Sequence, residues 1–235
     1  MSAGRISHQP AAVRCTNSPA RDDSVEQIVI SLEKAYGPRE FVARGRAVDV
    51  LVETVLSQNT SDVNSHRAFA SLLQTFGSLE AVAVAPADDI EAAIRFAGLS
   101  RIKSARILAM LQRLTREHGS LDLSFLAEWD VDAARKYLTS IDGVGLKTAS
   151  CVLLFSLGMT AMPVDTHVHR VARRLGLIGP RTTADAAHER LESLVSPEDR
   201  YRFHLLLIEH GRRVCHARHP LCRSCVLRST CPSAQ

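Results

Sequence analysis

The chain has 235 residues, of which 46% are hydrophobic, and a formal net charge of +4. That length and apolar content predict one sizeable core, or two small domains that share an interface. The small basic excess does not by itself indicate a nucleic-acid partner. No run of about 18 apolar residues is present, which excludes a predicted transmembrane helix, and the N-terminus lacks the apolar core of a signal peptide. We therefore expect no membrane partner and a cytoplasmic location, nucleoid-associated if the source is bacterial.

Along the chain, helical patterns dominate. Residues 1–22 mix Ser, Pro, Arg and Ala without periodicity and are predicted to form a flexible tail. Beyond them, apolar residues recur at helical spacing, and short stretches of Gly, Pro, Ser or Asp separate one helical pattern from the next. Gly37, for example, ends the first helix and Gly119 a later one. Because alternating strand patterns are nearly absent, the predicted fold class is all-α, with about ten short helices.

The stretch IDGVGLKTA, residues 141–149, joins two of these helical patterns. Gly143 and Gly145 surround a single valine, so they permit a tight turn and the close approach of another backbone. Free N–H groups and the helix dipole at the start of the second helix can bind an anion such as a DNA phosphate. On the glycines alone, a packing joint without a ligand is favoured over a binding site.

Four of the six cysteines lie near the C-terminus, separated by six, two and five residues: Cys215, Cys222, Cys225 and Cys231. In the cytoplasm lasting disulfides are uncommon, which favours metal ligation. Only the middle pair has the short spacing of a zinc knuckle, and an all-cysteine set also suits a [4Fe–4S] cluster. The chemistry of four thiols leaves both metals open. The segment from residue 211 to residue 235 holds five arginines and no carboxylate, which suits a polyanionic partner.

Together these motifs resemble the endonuclease III family of DNA glycosylases. DGVGLKTA resembles its helix-hairpin-helix, and VDTHVHR (164–170) resembles the segment that carries its catalytic aspartate. The cysteine spacing matches the family's iron–sulfur loop in every gap. LSQNTSD (56–62) and GLSRIKSARI (98–107) resemble its two DNA-facing segments. The matches follow the family's order and cover about residues 24–232.

The resemblance implies a helix-hairpin-helix DNA glycosylase fold. A six-helix domain is expected at residues 42–160. A second helical domain, formed by residues 23–41 and 161–235, would hold a [4Fe–4S] cluster on the four cysteines. An active-site cleft is expected between the two domains. The family also implies a monomer whose partner is damaged double-stranded DNA.

The resemblance places the chemistry on Lys147 and Asp165. In the family the damaged nucleotide is flipped out of the duplex. The amine of Lys147 would then attack the sugar C1′ and expel an oxidised pyrimidine, leaving a Schiff base that permits β-elimination. Asp165 would accept a proton or stabilise the developing sugar cation. A free lysine has a pKa of ~10.4, and the expected position of Lys147 in the first turn of a helix disfavours its positive charge. A nearby Asp165 would have the opposite effect. Without the family, Lys147 would be interpreted as a solvated lysine and Asp165 as a helix N-cap.

Further residues are assigned to DNA contact by the same resemblance. Leu99 would be a wedge that enters the base stack, and Gln58 or Asn59 would fill the gap left by the extruded base. Without the family, Leu99 would be interpreted as an ordinary core leucine. Gly143 and Gly145 would bind backbone phosphate, and Arg223 would reach phosphates from within the cysteine loop.

Two departures and one rival motif qualify the resemblance. The family commonly has Leu-Pro where this chain has Ile141 and Asp142, and an acid there would either weaken phosphate binding or cap the turn. The family's SAQATD is SQNTSD here, which bears on lesion preference. Glu53 lies where related adenine-mismatch glycosylases carry a catalytic acid, although those enzymes usually lack the lysine. An adenine-mismatch glycosylase and a non-catalytic DNA-binding module are therefore the alternative functions.

Overall fold

The computed structural model describes residues 22–234. The predicted tail therefore lies outside the described residues, except for residue 22, which already belongs to the first helix. Within residues 22–234 every regular element is helical and no strand occurs, so the all-α prediction is confirmed. No helix of this part of the chain has the length and apolar character needed to cross a membrane.

The described chain contains eleven α-helices, close to the predicted number. They are α1 (Asp22–Tyr36), α2 (Ala47–Ser57), α3 (Asp62–Phe76), α4 (Leu79–Val82), α5 (Ala87–Ala93), α6 (Ser100–His118), α7 (Val131–Thr139), α8 (Leu146–Phe155), α9 (Thr166–Arg174), α10 (Ala184–Leu194) and α11 (Arg200–Arg213). Short 3-10 helices cover Arg95–Ala97, Ser124–Glu128, Pro197–Asp199 and Cys222–Ser224. α1 and α6 end where the sequence predicts, directly before Gly37 and Gly119.

Two separate hydrophobic cores organise these helices. The first core draws its buried residues from positions 47 to 161, and α2 packs within it against α3 and α8. The second core combines α1 with residues from Met162 to Leu227, and α11 packs there against α1 and α9. The division into domains at 42–160 and at 23–41 plus 161–235 stays a prediction, and the two cores are the observation that supports it.

Helix α8 runs through the first core. All eight residues from Thr148 to Phe155 are buried, so the helix has no solvent-facing stripe. A helix that is apolar all round is stable only when neighbours cover every face. Here α2 and α7 pack against it. Its position is therefore tightly constrained by packing, and so is whatever side chain its first turn carries.

Candidate active site

Lys147 lies in the first turn of α8. The helix begins at Leu146, with Gly145 as its N-cap residue, and Lys147 is half-buried. The buried Ile141 and Val144 attach the preceding hairpin to the first core. The sequence-based position at a helix start therefore agrees with the structure, and the helix dipole disfavours a positive charge there.

The two hairpin glycines differ in whether the structure requires a glycine at their position. Gly143 has φ of +83°, and a β-carbon there would come within 3.1 Å of Cδ of Arg106. The fold itself thus requires a glycine at that position. Gly145 has an ordinary φ of −89°, and a β-carbon added to it would meet nothing within 4 Å. Nothing in the described chain requires Gly145 to lack a side chain.

Asp165 is the N-cap residue of α9, and its Oδ1 accepts a hydrogen bond from the backbone N–H of Val168 at 2.7 Å. Two buried imidazoles form hydrogen bonds to the backbone segment that leads to Asp165. Nδ1 of His188 lies 2.8 Å from the carbonyl oxygen of Met162, and Nδ1 of His204 lies 2.9 Å from that of Pro163. Since a carbonyl can only accept, both imidazoles donate there.

Burial keeps these two histidines neutral. It lowers the pKa of His188, and it lowers the pKa of His204 from its ordinary 6.5 to about 4. Removing a cation from water is costly, so a fully enclosed imidazole resists protonation. The backbone before Asp165 is therefore anchored by two uncharged donors.

Lys147 and Asp165 face one cleft between the two cores. Two adjoining cavities of about 440 and 600 Å³ make up this cleft, and both are lined by Lys147, Asp165, Asp62 and Arg212. These volumes are typical of small-molecule sites. Within the described chain Lys147 and Asp165 form no salt bridge with each other.

Further polar residues complete the walls of the cleft. Glu53 Oε1 lies 3.2 Å from Nε2 of His66, so the acid has a partner on α3. Cys151 lies one turn after Lys147 on α8, and burial raises the pKa of its thiol. Neither His66 nor Cys151 is conspicuous in the sequence, because their role in the wall depends on how the helices pack.

An ion pair spans the cleft from one core to the other. Arg212, on α11, pairs with Asp62, at the start of α3, and both side chains are about half exposed. The sequence shows Asp62 at the end of LSQNTSD and Arg212 in the basic C-terminal segment. Their pairing joins positions 150 residues apart, and no local pattern indicates it.

The structure brings the segments 56–62 and 98–107 together beside the hairpin. Nε2 of Gln58 donates to the carbonyl oxygen of Gly143 at 3.1 Å. Asn59 is exposed and has φ of +53°. Leu99 also has a left-handed backbone, with φ of +50°, and its side chain is 56% exposed. The interpretation of Leu99 as a core leucine is therefore wrong. A bulky residue rarely adopts this conformation, which marks Leu99 as a strained, exposed position.

The four cysteines, Cys215, Cys222, Cys225 and Cys231, line one largely apolar cavity. None of them forms a disulfide with another described cysteine. Nη1 of Arg174 donates to Sγ of Cys215 at 3.2 Å, and the N–H of Leu227 donates to Sγ of Cys225 at 3.4 Å. Arg223 is exposed within this loop. Among residues 22–234 no three His, Cys, Asp or Glu side chains are arranged to hold a single metal ion. Four thiols around one shared cavity, two of them accepting N–H hydrogen bonds at sulfur, are a donor set that suits a [4Fe–4S] cluster.

Comparison with known proteins agrees with this architecture. The family model described as "HhH-GPD superfamily base excision DNA repair protein" matches residues 52–197. Endonuclease III of Sulfolobus acidocaldarius is 34% identical over 219 residues, which cover 89% of this chain and 96% of that protein. Endonuclease III of Thermotoga maritima is 35% identical, and the match covers 77% of this chain and 81% of that protein. The chain therefore belongs to the HhH-GPD superfamily of base excision DNA repair proteins, and within it to the endonuclease III-like DNA glycosylases.

Solved structures show the same similarity. A non-covalent endonuclease III–DNA complex superposes with a TM-score of 0.79 and 25% identity, covering 91% of this chain and 96% of that one. A trapped covalent intermediate of endonuclease III with DNA superposes with a TM-score of 0.76 and 26% identity, with the same coverage. The helix-hairpin-helix glycosylase fold expected from the motifs is thereby confirmed.

Proposed function

We propose that this protein is a bifunctional DNA glycosylase and AP lyase that removes oxidised pyrimidines from duplex DNA through a Schiff base on Lys147. The observation that carries the proposal is the shared cleft, in which Lys147 from the first core faces Asp165 from the second. Both residues are also fixed by backbone structure, one at a helix start and one as an N-cap. A similar protein has been trapped as a covalent intermediate with DNA, which supports covalent chemistry.

The chemistry assigns separate tasks to the two residues. A nucleotide flipped into the cleft would present its C1′ to the amine of Lys147. The nitrogen forms a bond to C1′ as the glycosidic bond breaks, and the base leaves with the bonding electron pair. Loss of the amine's protons and opening of the sugar give the Schiff base. That Schiff base acidifies the C2′ proton, and its removal expels the 3′ phosphate by β-elimination.

Asp165 is suited to stabilise charge in this reaction. Its Oδ1 is fixed by the N–H of Val168, and its Oδ2 makes no hydrogen bond within the described chain. A carboxylate held in place with one oxygen available can accept a proton from the amine or stabilise the sugar cation. Asp165 would perform this task without a direct ion pair to Lys147, since none forms within the described chain.

The hairpin would bind a DNA phosphate. The first turn of α8 supplies unpaired N–H groups and the positive end of the helix dipole. The open space around Gly145 allows another backbone to approach there. Gln58 or Asn59 would fill the gap left by the flipped base, Leu99 would be the wedge, and Arg223 would reach a further phosphate. The partner is damaged double-stranded DNA, bound by a monomer.

The four cysteines would hold a [4Fe–4S] cluster, which the similarity to endonuclease III supports. Bound there, the cluster would cross-link the C-terminal loop through its four cysteines and would take no part in the reaction. Arg170 and Arg174 stabilise the same loop without it, since they donate to the carbonyl oxygens of Cys215 and His216 at 3.0 and 2.6 Å. Purified protein is expected to be brown, with broad absorption near ~400 nm. Colourless protein with stoichiometric zinc would contradict this assignment.

A lesion panel tests the proposed substrate. We expect the protein to cleave duplexes that contain thymine glycol or an abasic site, with a β-elimination product at the 3′ end. Lys147→Ala should abolish both excision and strand cleavage, while Lys136→Ala, an exposed lysine of α7, serves as the matched control.

An adenine-mismatch glycosylase is the second candidate, because Glu53 lines the cleft. Excision of adenine opposite 8-oxoguanine, without strand cleavage and with loss of activity in Glu53→Gln, would favour it over our proposal. Binding to every damaged duplex without any excision would instead favour the non-catalytic module.

A further inference from the structure

Lys103, on α6, is a buried cation with three hydrogen bonds. Its side chain lies inside the protein, with only 2% of the residue exposed. The ammonium nitrogen lies 2.7 Å from the carbonyl oxygen of Leu56, 2.7 Å from Oγ1 of Thr60 and 2.8 Å from the carbonyl oxygen of Ala97. An ammonium has three N–H donors, so this one is fully satisfied. Burying it without these partners would be strongly unfavourable.

The partners of Lys103 are backbone and hydroxyl groups, and no carboxylate of the described chain forms a salt bridge with it. Burial lowers the pKa of its amine. A charge enclosed in this way contributes little net stability, because the hydrogen bonds mainly offset the loss of hydration. An apolar side chain of similar length would leave the carbonyl oxygens of Leu56 and Ala97 without this donor, so Lys103 links the two segments that carry these groups.

Lys103 joins the two segments that carry exposed left-handed residues. Leu56 and Thr60 bracket Asn59, and Ala97 precedes Leu99 by two positions. Thr60 strengthens the junction, since its hydroxyl also contacts the carbonyl oxygen of Ala97. Asn59 and Leu99 are two of only three described non-glycine residues with positive φ. Strained backbone of this kind persists only where the surrounding contacts hold it.

We propose that Lys103 is a positioning residue that sets the distance between Leu99 and the Gln58–Asn59 segment, so that wedge and gap-filling side chain enter the same base step. The inference rests on the proposed function, because it assumes that both segments enter a duplex. It assigns Lys103 no contact with DNA. Lys103 acts through the two segments that its ammonium group joins. A displacement of either segment by about 1 Å is enough to lower the rate of base excision strongly.

The test compares a substrate that needs insertion with one that does not. Lys103→Met keeps the length of the side chain and removes the charge. We expect its single-turnover rate on a thymine glycol duplex to fall by at least about tenfold. The rate of β-elimination at an abasic site in a single-stranded oligonucleotide should stay within about twofold of wild type, because no base pair must be opened there. Lys136→Met is the matched lysine control and should change neither rate.

A spectroscopic readout follows insertion directly. A 2-aminopurine placed opposite the lesion should brighten when wild-type protein binds and unstacks it, and should brighten much less with Lys103→Met at saturating protein. If Lys103→Met does not fold, Thr60→Val and Thr60→Ser address the same junction. Thr60→Val lacks the hydroxyl and should reproduce the duplex-specific loss, whereas Thr60→Ser should retain wild-type behaviour.

The outcomes separate this inference from the proposed function. Equal loss on both substrates by Lys103→Met, or loss on neither, would overturn the positioning role, as would equal behaviour of the two Thr60 variants. Wild-type protein that cleaves neither substrate would contradict the proposed function alone. In that case the 2-aminopurine signal of wild type against Lys103→Met still decides the inference.

Discussion

At the residue scale, Asp165 has two separable roles. Its carboxylate caps α9, and its charge is expected to assist the chemistry in the cleft. Capping needs only a short side chain with a hydrogen-bonding oxygen, which Asn also provides. Charge stabilisation needs the carboxylate. The capping role of Asp165 is observed and its catalytic role is proposed, and substitution can distinguish the two.

The first prediction concerns this separation. Asp165→Asn should lower the single-turnover excision rate by about 10²-fold or more, while the thermal midpoint stays close to wild type. Asp165→Ala should show the same kinetic loss and also lower the free energy of unfolding by about 1 kcal/mol, through loss of the cap. Excision assays and urea titrations on the two variants provide the measurements. Full activity in Asp165→Asn would show that the charge has no catalytic role.

The sequence predicts some site residues much better than others. Lys147 and Asp165 stand in short motifs that resemble those of the endonuclease III family, and without that resemblance they would be interpreted as a solvated lysine and a helix N-cap. Lys103 looks like any polar residue of a helix, because its burial depends on carbonyl groups that lie up to 47 positions away. The exposure of Leu99 was likewise not visible, since a leucine after a helix-ending glycine usually packs inward.

At the scale of elements, the hairpin and α8 form one unit that carries both the proposed phosphate site and Lys147. The hairpin is positioned by buried Ile141 and Val144, and α8 is fixed by burial on every face. The existence and approximate bounds of these helices follow from apolar periodicity and glycine positions. The difference between Gly143, which the fold requires, and Gly145, which lies beside open space, does not follow from the sequence, because it depends on Arg106 packing over Gly143.

The second prediction uses this difference between the glycines. Gly143→Ala should reduce the free energy of unfolding by at least about 1 kcal/mol, because a side chain there is strained and would crowd Arg106. Gly145→Ala should leave stability nearly unchanged, since its backbone is ordinary and its surroundings are open. Its affinity for an abasic-site duplex should nevertheless fall, because the added methyl group would occupy the phosphate approach. Chemical denaturation and fluorescence anisotropy measure the two effects.

Unchanged DNA affinity in Gly145→Ala would contradict the proposed phosphate site beside Gly145. Should Gly145→Ala bind DNA as tightly as wild type at the same salt concentration, the open space beside it is not a phosphate site. Phosphate contacts are salt-dependent, so the comparison is best made over a range of salt concentrations.

At the scale of the whole molecule, the cleft exists because the chain builds two cores and places Lys147 on one side and Asp165 on the other. Met162, Pro163 and Val164 connect the cores directly before Asp165. The neutral imidazoles of His188 and His204 hold this connection. Protonation of these imidazoles at acid pH should therefore weaken both the segment that connects the cores and the position of Asp165.

The third prediction follows from the lowered pKa of His204. The folded-state pKa of His204 is about 4, below its ordinary value of 6.5. As pH falls below about 6.5 the unfolded chain binds a proton that the folded protein does not, so the free energy of unfolding decreases until pH reaches about 4. The loss from His204 alone is on the order of 3 kcal/mol, and His188 adds to it in the same direction.

Urea denaturation at several pH values between 4 and 8, in wild type and in His204→Asn, measures this effect. Asparagine can still donate to the carbonyl oxygen of Pro163 but does not titrate in this range. The variant should therefore lose less stability than wild type between neutral and acid pH. Parallel curves for the two proteins would show that His204 is not the titrating group.

Borohydride trapping shows whether Lys147 forms a covalent bond to the sugar during the reaction, because borohydride reduces a Schiff base to a stable amine. Wild-type protein would be incubated with an abasic-site duplex in the presence of borohydride, and the product digested and mapped by mass spectrometry. We expect a stable protein–DNA adduct on the peptide that contains Lys147, and loss of that adduct in Lys147→Ala but not in Lys136→Ala. Absence of an adduct with wild-type protein, or an adduct undiminished in Lys147→Ala, would contradict this expectation.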